Sequence, residues 1–302
     1  MDEPLADPSC IALYFVCKLA AEQVKVVLSG EGADELFGGY NVYSEPDGTW
    51  YDKLPMGLRR GVANAASVLP AKRGVNFLVR KGRTLEERFI GNAYMFTPAE
   101  RKALLKIETS APDPTAVTKP FYDKVTDQDA VTKMQYLDLH LWMTGDILLK
   151  ADKMSMAHSL ELRVPFLDKE LMHVAEQIPT RFRVTHHVPT DDHTPYTTKY
   201  AMRLAAKRDT PPSTADTAAK KKLGFPVPIR VWLKQDDCYN TVRTAFVSPD
   251  AEQFFHTEKL TQLLDDHKNG KADNSRKIWT VYMFLVWYKV YFGTPDAIPA
   301  DR

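Results

Sequence analysis

The chain has 302 residues, with 40 basic against 39 acidic side chains and a formal charge of +1. Near-neutrality removes any general argument for nucleic acid or an anionic membrane surface as partner, so a basic site has to be local. The three cysteines, Cys10, Cys17 and Cys238, form no CxxC pair, and an odd count without a secretory leader predicts reduced thiols in a cytoplasm.

SCIALYFVCKLAAEQ, residues 9–23, reads as a helix entered after Pro8 with Ser9 as its N-cap, and Cys10 and Cys17 are expected to pack in the core. VKVVLS, residues 24–29, is a continuous β-branched run and predicts a strand covered on both faces. It runs into Ser29-Gly30-Glu31-Gly32, after which Asp34 and Glu35 crowd the first turn of a helix. Strand, tight turn and helix start form a place where α/β proteins bind anions. Glycines let backbone approach a phosphate, free N–H groups donate to it, and a nearby carboxylate holds the accompanying Mg²⁺. The same spacing equally suits an ordinary βα turn whose acids favour the helix dipole.

Residues 51–107 alternate helical segments with Gly/Pro punctuation, and Arg59, Arg60, Lys72, Arg73, Arg80, Lys81 and Arg83 make a basic, solvated face. TSAPDPTAVTKP, residues 109–120, reads as a loop. Asp129 to Leu149 carries apolar residues at 134, 137, 141 and 148, which predicts one long helix or two joined near Thr144-Gly145. LRVPFLD, 162–168, leaves helical conformation at Pro165. HHVPTDDHTPYTT, 186–198, is rich in histidine but matches no metal-ligand spacing. The Thr/Ala/Ser/Lys-rich stretch from Pro211 to Lys222 is expected to be mobile, and helices resume at Val231. The most apolar run, Ile278 to Phe292, is interrupted by Lys289 and falls short of the ~20 residues of a membrane span, so it predicts a buried helix.

Three blocks in order, VVLSGEGADELFGGY (26–40), GDILLKADKMSMAHSLELRVPFLD (145–168) and KKKLGFPVPIRVWL (220–233), closely resemble the synthetase domain of glutamine-dependent asparagine synthetases. The similarity runs from Asp2-Glu3-Pro4 to the Trp/Tyr-rich C-terminus. It implies an α/β, helix-rich synthetase domain of the adenine-nucleotide-binding pyrophosphatase type. Residues 1–50 would give the nucleotide-binding strand, turn and helix, and 51–302 the mostly helical remainder with substrate and pyrophosphate-side residues. Two parts of the family pattern are missing from the string. The chain opens Met1-Asp2 with its first cysteine at Cys10, whereas the family's glutaminase nucleophile is an N-terminal cysteine, and no Ser-Gly-Gly-x-Asp-Ser pyrophosphate loop is present. The expectation is an N-terminally truncated domain that needs an upstream segment or another chain to cover its strand.

The resemblance implies ATP and Mg²⁺ as cofactors, aspartate as acceptor, and ammonia, free or from glutamine hydrolysed by a separate glutaminase. The reaction it implies passes through β-aspartyl-AMP. Carried over by position, Asp34 is the metal ligand and Ser29, Gly30, Glu31 and Gly32 line the acyl-adenylate pocket. Glu31 is a catalytic candidate as well, and Glu31 or Asp146 recognises the substrate amino group. Lys222, in Lys222-Leu223-Gly224-Phe225, is the catalytic lysine, with Lys220 and Lys221 as alternatives of register. Arg163 clamps a carboxylate or phosphate, or else pairs with Glu161 or Asp168. Asp152 and Lys153 support the site without touching ligand, and Met154 and Met156 pack the core. The alternatives are a relative using the same adenylation chemistry, such as a β-lactam synthetase, and a catalytically inactive fragment or interaction module.

Overall fold

The computed structural model describes residues 1–44, 50–69, 73–185, 197–220, 222, 224–225 and 227–293. Its first helix, α1 (Ser9–Ala21), has Pro8 rather than Ser9 at the N-cap. The orphan N–H of Ser9 is taken by Asp7 Oδ1 at 2.9 Å and the Ser9 hydroxyl donates to Asp7 Oδ2 at 2.7 Å, so Asp7 does the capping and is fixed in place by it.

Strand β1 (Val26–Leu28) pairs in parallel with β2 (Glu161–Arg163), in the register Val26–Glu161, Val27–Leu162, Leu28–Arg163. Residues 161–163 are therefore extended, and Pro165 opens a 3₁₀ turn to Leu167 rather than closing a helix. A parallel pair needs a long crossover. That crossover lays the turn after β1 beside the block around residue 163. The turn passes Gly32 at φ 90°, where a β-carbon would run into the Leu167 side chain. It leads into α2 (Ala33–Phe37), a helix of only 5 residues, so its dipole adds little to anion attraction.

The expectation that β1 is covered on both faces is not met among the described residues. Val27 is half-buried, whereas Val26 and Leu28 are 51% and 75% exposed. A two-stranded sheet has one covered face and open backbone at its rim, and β-branched composition alone does not report how many layers flank it.

Asp129 caps the helix Ala130–Leu137 through the N–H groups of Val131 (3.0 Å) and Thr132 (3.1 Å). The chain then continues without a break at Thr144-Gly145 as a π-helix, Asp138–Ile147, before resuming α geometry over Leu148–Met156. Such wide turns are uncommon and cluster at functional sites. This one buries two carboxyl groups, Asp138 and Asp146, along with the apolar Met143 and Ile147.

Two stretches read as irregular are helical. Pro114–Tyr122 starts on Asp113, whose side chain accepts from Thr115 N, with proline at the first position where it costs no hydrogen bond. Pro212–Ala219 forms a helix whose end is held by the Arg203 guanidinium, which donates to the carbonyls of Ala218 (2.5 Å) and Lys220 (2.9 Å). Tertiary partners override weak propensity in both. Met156, expected in the core, is exposed, and Met154 is half-buried.

Three apolar clusters hold the fold. One packs Phe246, Leu260 and Leu264 against Ile278 on the helix Ser275–Phe292. A second joins Tyr43, Phe89, Tyr122 and Leu137, and the third sets Leu36 and Phe37 of α2 against Ala175. Among the described residues no helix is long and apolar enough to cross a membrane.

Candidate active site

Asp34 lies on α2, and two lysines from distant parts of the chain converge on it. Lys222 Nζ is 2.5 Å from Asp34 Oδ1 and donates to the Gly39 carbonyl at 3.0 Å, while Lys199 Nζ is 3.1 Å from the same Asp34 oxygen. Gly39 makes this approach feasible, because a β-carbon there would overlap both Asp34 Oδ1 and Lys199 Cε. Lys222 also stands over the Tyr40 ring, 4.8 Å from its centroid. Burial pulls the Lys199 ammonium below its usual range, Asp34 opposes that, and the neighbouring Lys222 reinforces it. Of the two lysines in register that are described, Lys222 is the one at Asp34. Lys220 is exposed, and Lys221 lies outside the described residues.

Tyr40 donates to Glu35 Oε1 at 2.5 Å and accepts from Trp142 Nε1 at 3.3 Å, tying α2 to the π-helix. One turn earlier on that helix Asp138 is fully buried and accepts from Tyr43 Oη (2.6 Å) and Asn92 Nδ2 (2.9 Å). Burial pushes the Asp138 carboxyl up to about 7, against the pull of the Tyr43 hydrogen bond.

A second charged group lies at the other end of the π-helix. Lys150 is ion-paired with Asp7 and stands 3.9 Å from Asp146. Burial favours a neutral Asp7, but Lys150 holds its carboxyl below the usual range. Asp146 is pushed up to about 7 by burial and by the Asp7 charge, with Lys150 partly compensating. Burial likewise pushes the Cys10 thiol up to about 12, with Asp7 adding to it. Glu31 links the two groups. Its half-buried carboxyl is raised by burial, pulled back by Lys150, and raised again by Asp34 and Asp7.

Ser29 and Gly30 sit at the mouth of the turn, and Ser29 N donates to the Arg163 carbonyl at 2.8 Å, which closes the β1–β2 ladder. Gly32 is buried under Leu167. The Arg163 side chain points elsewhere: it is ion-paired with Glu161 and 66% exposed. Lys153 pairs with Asp2 at the surface at 2.9 Å. Residues 186–196 of the histidine-rich stretch lie outside the described residues, and among the described residues no group of three or more His, Cys, Asp or Glu side chains is placed to hold a metal.

Asp34 nevertheless suits Mg²⁺ of one kind. A lone carboxylate already clasped by two lysines is no metal cage, but Mg²⁺ keeps most of its waters and binds through one or two carboxylates plus substrate phosphates. Asp7, Lys150 and Lys199 were not singled out from sequence. Lys150 lies inside the second matched block and Asp7 in the N-terminal stretch where the resemblance begins, neither with a motif of its own. Lys199 follows the polar stretch, and its mark is conformational: a left-handed φ of 54° at a non-glycine residue.

The family model for asparagine synthase matches residues 1–289. Asparagine synthetase [glutamine-hydrolyzing] 1 of Bacillus subtilis is 46% identical over 291 residues, covering 96% of this chain and 44% of that protein. A putative asparagine synthetase [glutamine-hydrolyzing] of Mycobacterium tuberculosis is 42% identical over 293 residues, covering 96% of this chain and 43% of the relative. Amidase chry2 of Gibberella zeae is 25% identical over 230 residues, 70% of this chain and 33% of that protein. The chain thus spans less than half the length of the two asparagine synthetases, and over nearly all of its own length it belongs to the asparagine synthase family.

Proposed function

We propose that this chain carries the synthetase half of an ATP-dependent aspartate amidation. The aspartate side-chain carboxylate attacks the α-phosphorus of ATP, pyrophosphate leaves, and ammonia then displaces AMP from the β-aspartyl-AMP. The observation that carries the reading is the Asp34 cluster: two lysines held on one carboxylate beside the glycine turn that follows β1. Negative charge builds on phosphate oxygens in the first step, and fixed ammonium groups stabilise it without reorganising. Lys222 and Lys199 take the leaving pyrophosphate. Ser29 and Gly30 provide backbone along the adenylate, with Gly32 shaping the turn behind them, and Asp34 would bind the Mg²⁺ that neutralises the polyphosphate.

Glu31 suits proton transfer in the second step. A carboxyl raised by burial and flanked by Lys150 is closer in basicity to an attacking amine than an exposed glutamate is. Nitrogen arrives as ammonia, free or released by a separate glutaminase. The comparison with the two asparagine synthetases supports this chemistry by family, and the charge pattern around Asp34 and Glu31 supports it by physics. The test is AMP formation from ATP, Mg²⁺ and aspartate, with ammonia or glutamine as nitrogen source. AMP that depends on aspartate and vanishes in Lys222→Ala supports the assignment. ATP binding with no AMP under any nitrogen source, in the chain alone and with the upstream half of a relative supplied in trans, rejects it.

A further inference from the structure

Gln135 is 3% exposed on the helix Ala130–Leu137, and both ends of its side-chain amide are engaged. Its Nε2 donates to the Glu35 carbonyl at 2.6 Å, and its Oε1 accepts from Arg183 Nη1 at 2.6 Å. A carbonyl only accepts and a guanidinium only donates, so a single orientation of the amide satisfies both neighbours. Arg183 is itself fixed. Its Nη2 donates to the hydroxyls of Thr132 (3.0 Å) and Thr180 (3.1 Å), and these donate in turn to Asp129 Oδ2 at 2.8 and 2.7 Å.

The Glu35 carbonyl depends on that amide. Beyond Phe37 the N–H groups of Gly38 and Gly39 both turn back to the Asp34 carbonyl, the second at 2.7 Å, so neither is left for Glu35. Glu35 is 2% exposed, and a buried carbonyl without a donor is unfavourable. A helix of 5 residues has too few internal bonds to hold its own place, so α2 is held from outside. Gln135 grips its Glu35 carbonyl, and Arg183 packs under Gly38, where a β-carbon would come within 3.3 Å of Arg183 Cβ. Asp34 directly precedes Glu35, and Lys222 and Lys199 both pair with its carboxylate. We infer that Gln135 is a positioning residue of the phosphate site: acting through α2 rather than on substrate, it sets where Asp34, and with it the two ammonium groups, stand. Displacing such a cluster by about 1 Å is enough to cost ~10²-fold in rate. What the cluster does rests on the adenylation reading, whereas what holds it rests on these hydrogen bonds.

Gln135→Glu separates positioning from stability. The new side chain has the same reach and still accepts from Arg183, now with a charge to strengthen the bond, but it presents an oxygen to the Glu35 carbonyl in place of a donor. The test is pyrophosphate binding to the 302-residue chain by calorimetry, with AMP formation measured in the presence of the upstream half of a relative and urea unfolding of each protein. Gln135→Glu is expected to fold, to bind pyrophosphate about tenfold more weakly, the loss of one hydrogen bond, and to lower kcat for AMP formation by about 10- to 100-fold with the KM for aspartate unmoved. Gln135→Met, of similar volume and without polar atoms at its end, loses both contacts and should show the same two losses per folded molecule; it carries the test if Gln135→Glu does not fold. Variants that unfold more easily but keep the parental kcat and pyrophosphate affinity per folded molecule make Gln135 a structural residue and overturn the inference. A parent that binds pyrophosphate but forms no AMP rejects the adenylation reading, and weaker pyrophosphate binding by the variants still upholds the role of Gln135. A parent that does neither rejects both.

Discussion

Replacing Asp34 by asparagine tests the phosphate-site reading without requiring turnover. Lys222 and Lys199 bind one carboxylate oxygen at 2.5 and 3.1 Å, so their ammonium groups are less than about 6 Å apart. Removing the carboxylate charge leaves two like charges facing each other, which at an effective dielectric of ~20 repel by roughly 3 kcal/mol. Their side chains are 30% and 20% exposed, and Lys199 already leans toward its neutral form through burial. Water, and loss of the Lys199 proton, therefore reduce the cost to about 1–2 kcal/mol. In urea unfolding, Asp34→Asn should be less stable than the parent by that amount at low salt, with part recovered at high salt. Pyrophosphate should then stabilise the variant more than the parent, since it meets two uncommitted cations, and a ligand at ~100 times its Kd adds about 2.7 kcal/mol. A variant as stable as the parent, with no response to pyrophosphate in either protein, would refute the view that these lysines are a poised anion site.

Lys222→Ala should lower the adenylation rate by about 10²- to 10³-fold, the loss of one preorganised charge stabiliser, while costing ~1 kcal/mol or less in stability because Lys199 still pairs with Asp34. Parallel AMP assays and urea unfolding check this, and an unchanged rate moves the assignment to another lysine. Asp138→Asn addresses pH. The Asp138 carboxyl is raised from 3.8 to about 7, so the native state holds a proton that the unfolded chain releases. Its contribution is fully present below ~3.8, is lost as pH rises through about 7, and spans on the order of 4 kcal/mol at 1.36 kcal/mol per pKa unit. Asp146, Glu31 and Glu35 are raised by burial too and add slopes of the same sign, so Asp138→Asn should flatten the decline in unfolding free energy without abolishing it, and an unaltered slope contradicts the buried-acid account. Finally, Phe15, Leu19 and Leu28 are 61%, 66% and 75% exposed on α1 and β1. This surface and the open rim of the sheet should make the chain associate with itself unless further polypeptide covers them, and Leu19→Lys should reduce that association. A parent that sediments as a monomer at all concentrations contradicts this.

How far the sequence could be read depended on whether a property is local. The glycine turn was legible because Gly32 takes a left-handed φ that a short Gly-rich string declares, and Asp34 follows from its place behind that turn, whereas the need for glycine at 39 comes from the Asp34 and Lys199 side chains and appears only in the fold. Lys222 was legible as a motif, but its contact with an aspartate far back in the chain is a product of the fold. Layering was not legible: Val26, Val27 and Leu28 are the same apolar string whether one face is covered or two, and the exposure of alternate residues appears only with the neighbours in place. Nor was the π-helix, since its apolar positions fit an α-helical face as well.

That last gap is the consequential one. Asp138 and Asp146 lie at opposite ends of the π-helical stretch, and both end up buried with carboxyl groups that titrate at about 7. A regular helix pattern offers no reason to bury two acids in one apolar segment, and each would destabilise the fold if ionised without a partner. Asp138 is held by Tyr43 and Asn92, which are structural neighbours. Asp146 stands 3.9 Å from Lys150, which is also paired with Asp7. Each acid keeps one buried oxygen without a hydrogen-bond partner among the described residues, Asp138 Oδ1 and Asp146 Oδ2, so what the sequence could not declare is the burial itself, which raises both carboxyl groups through desolvation.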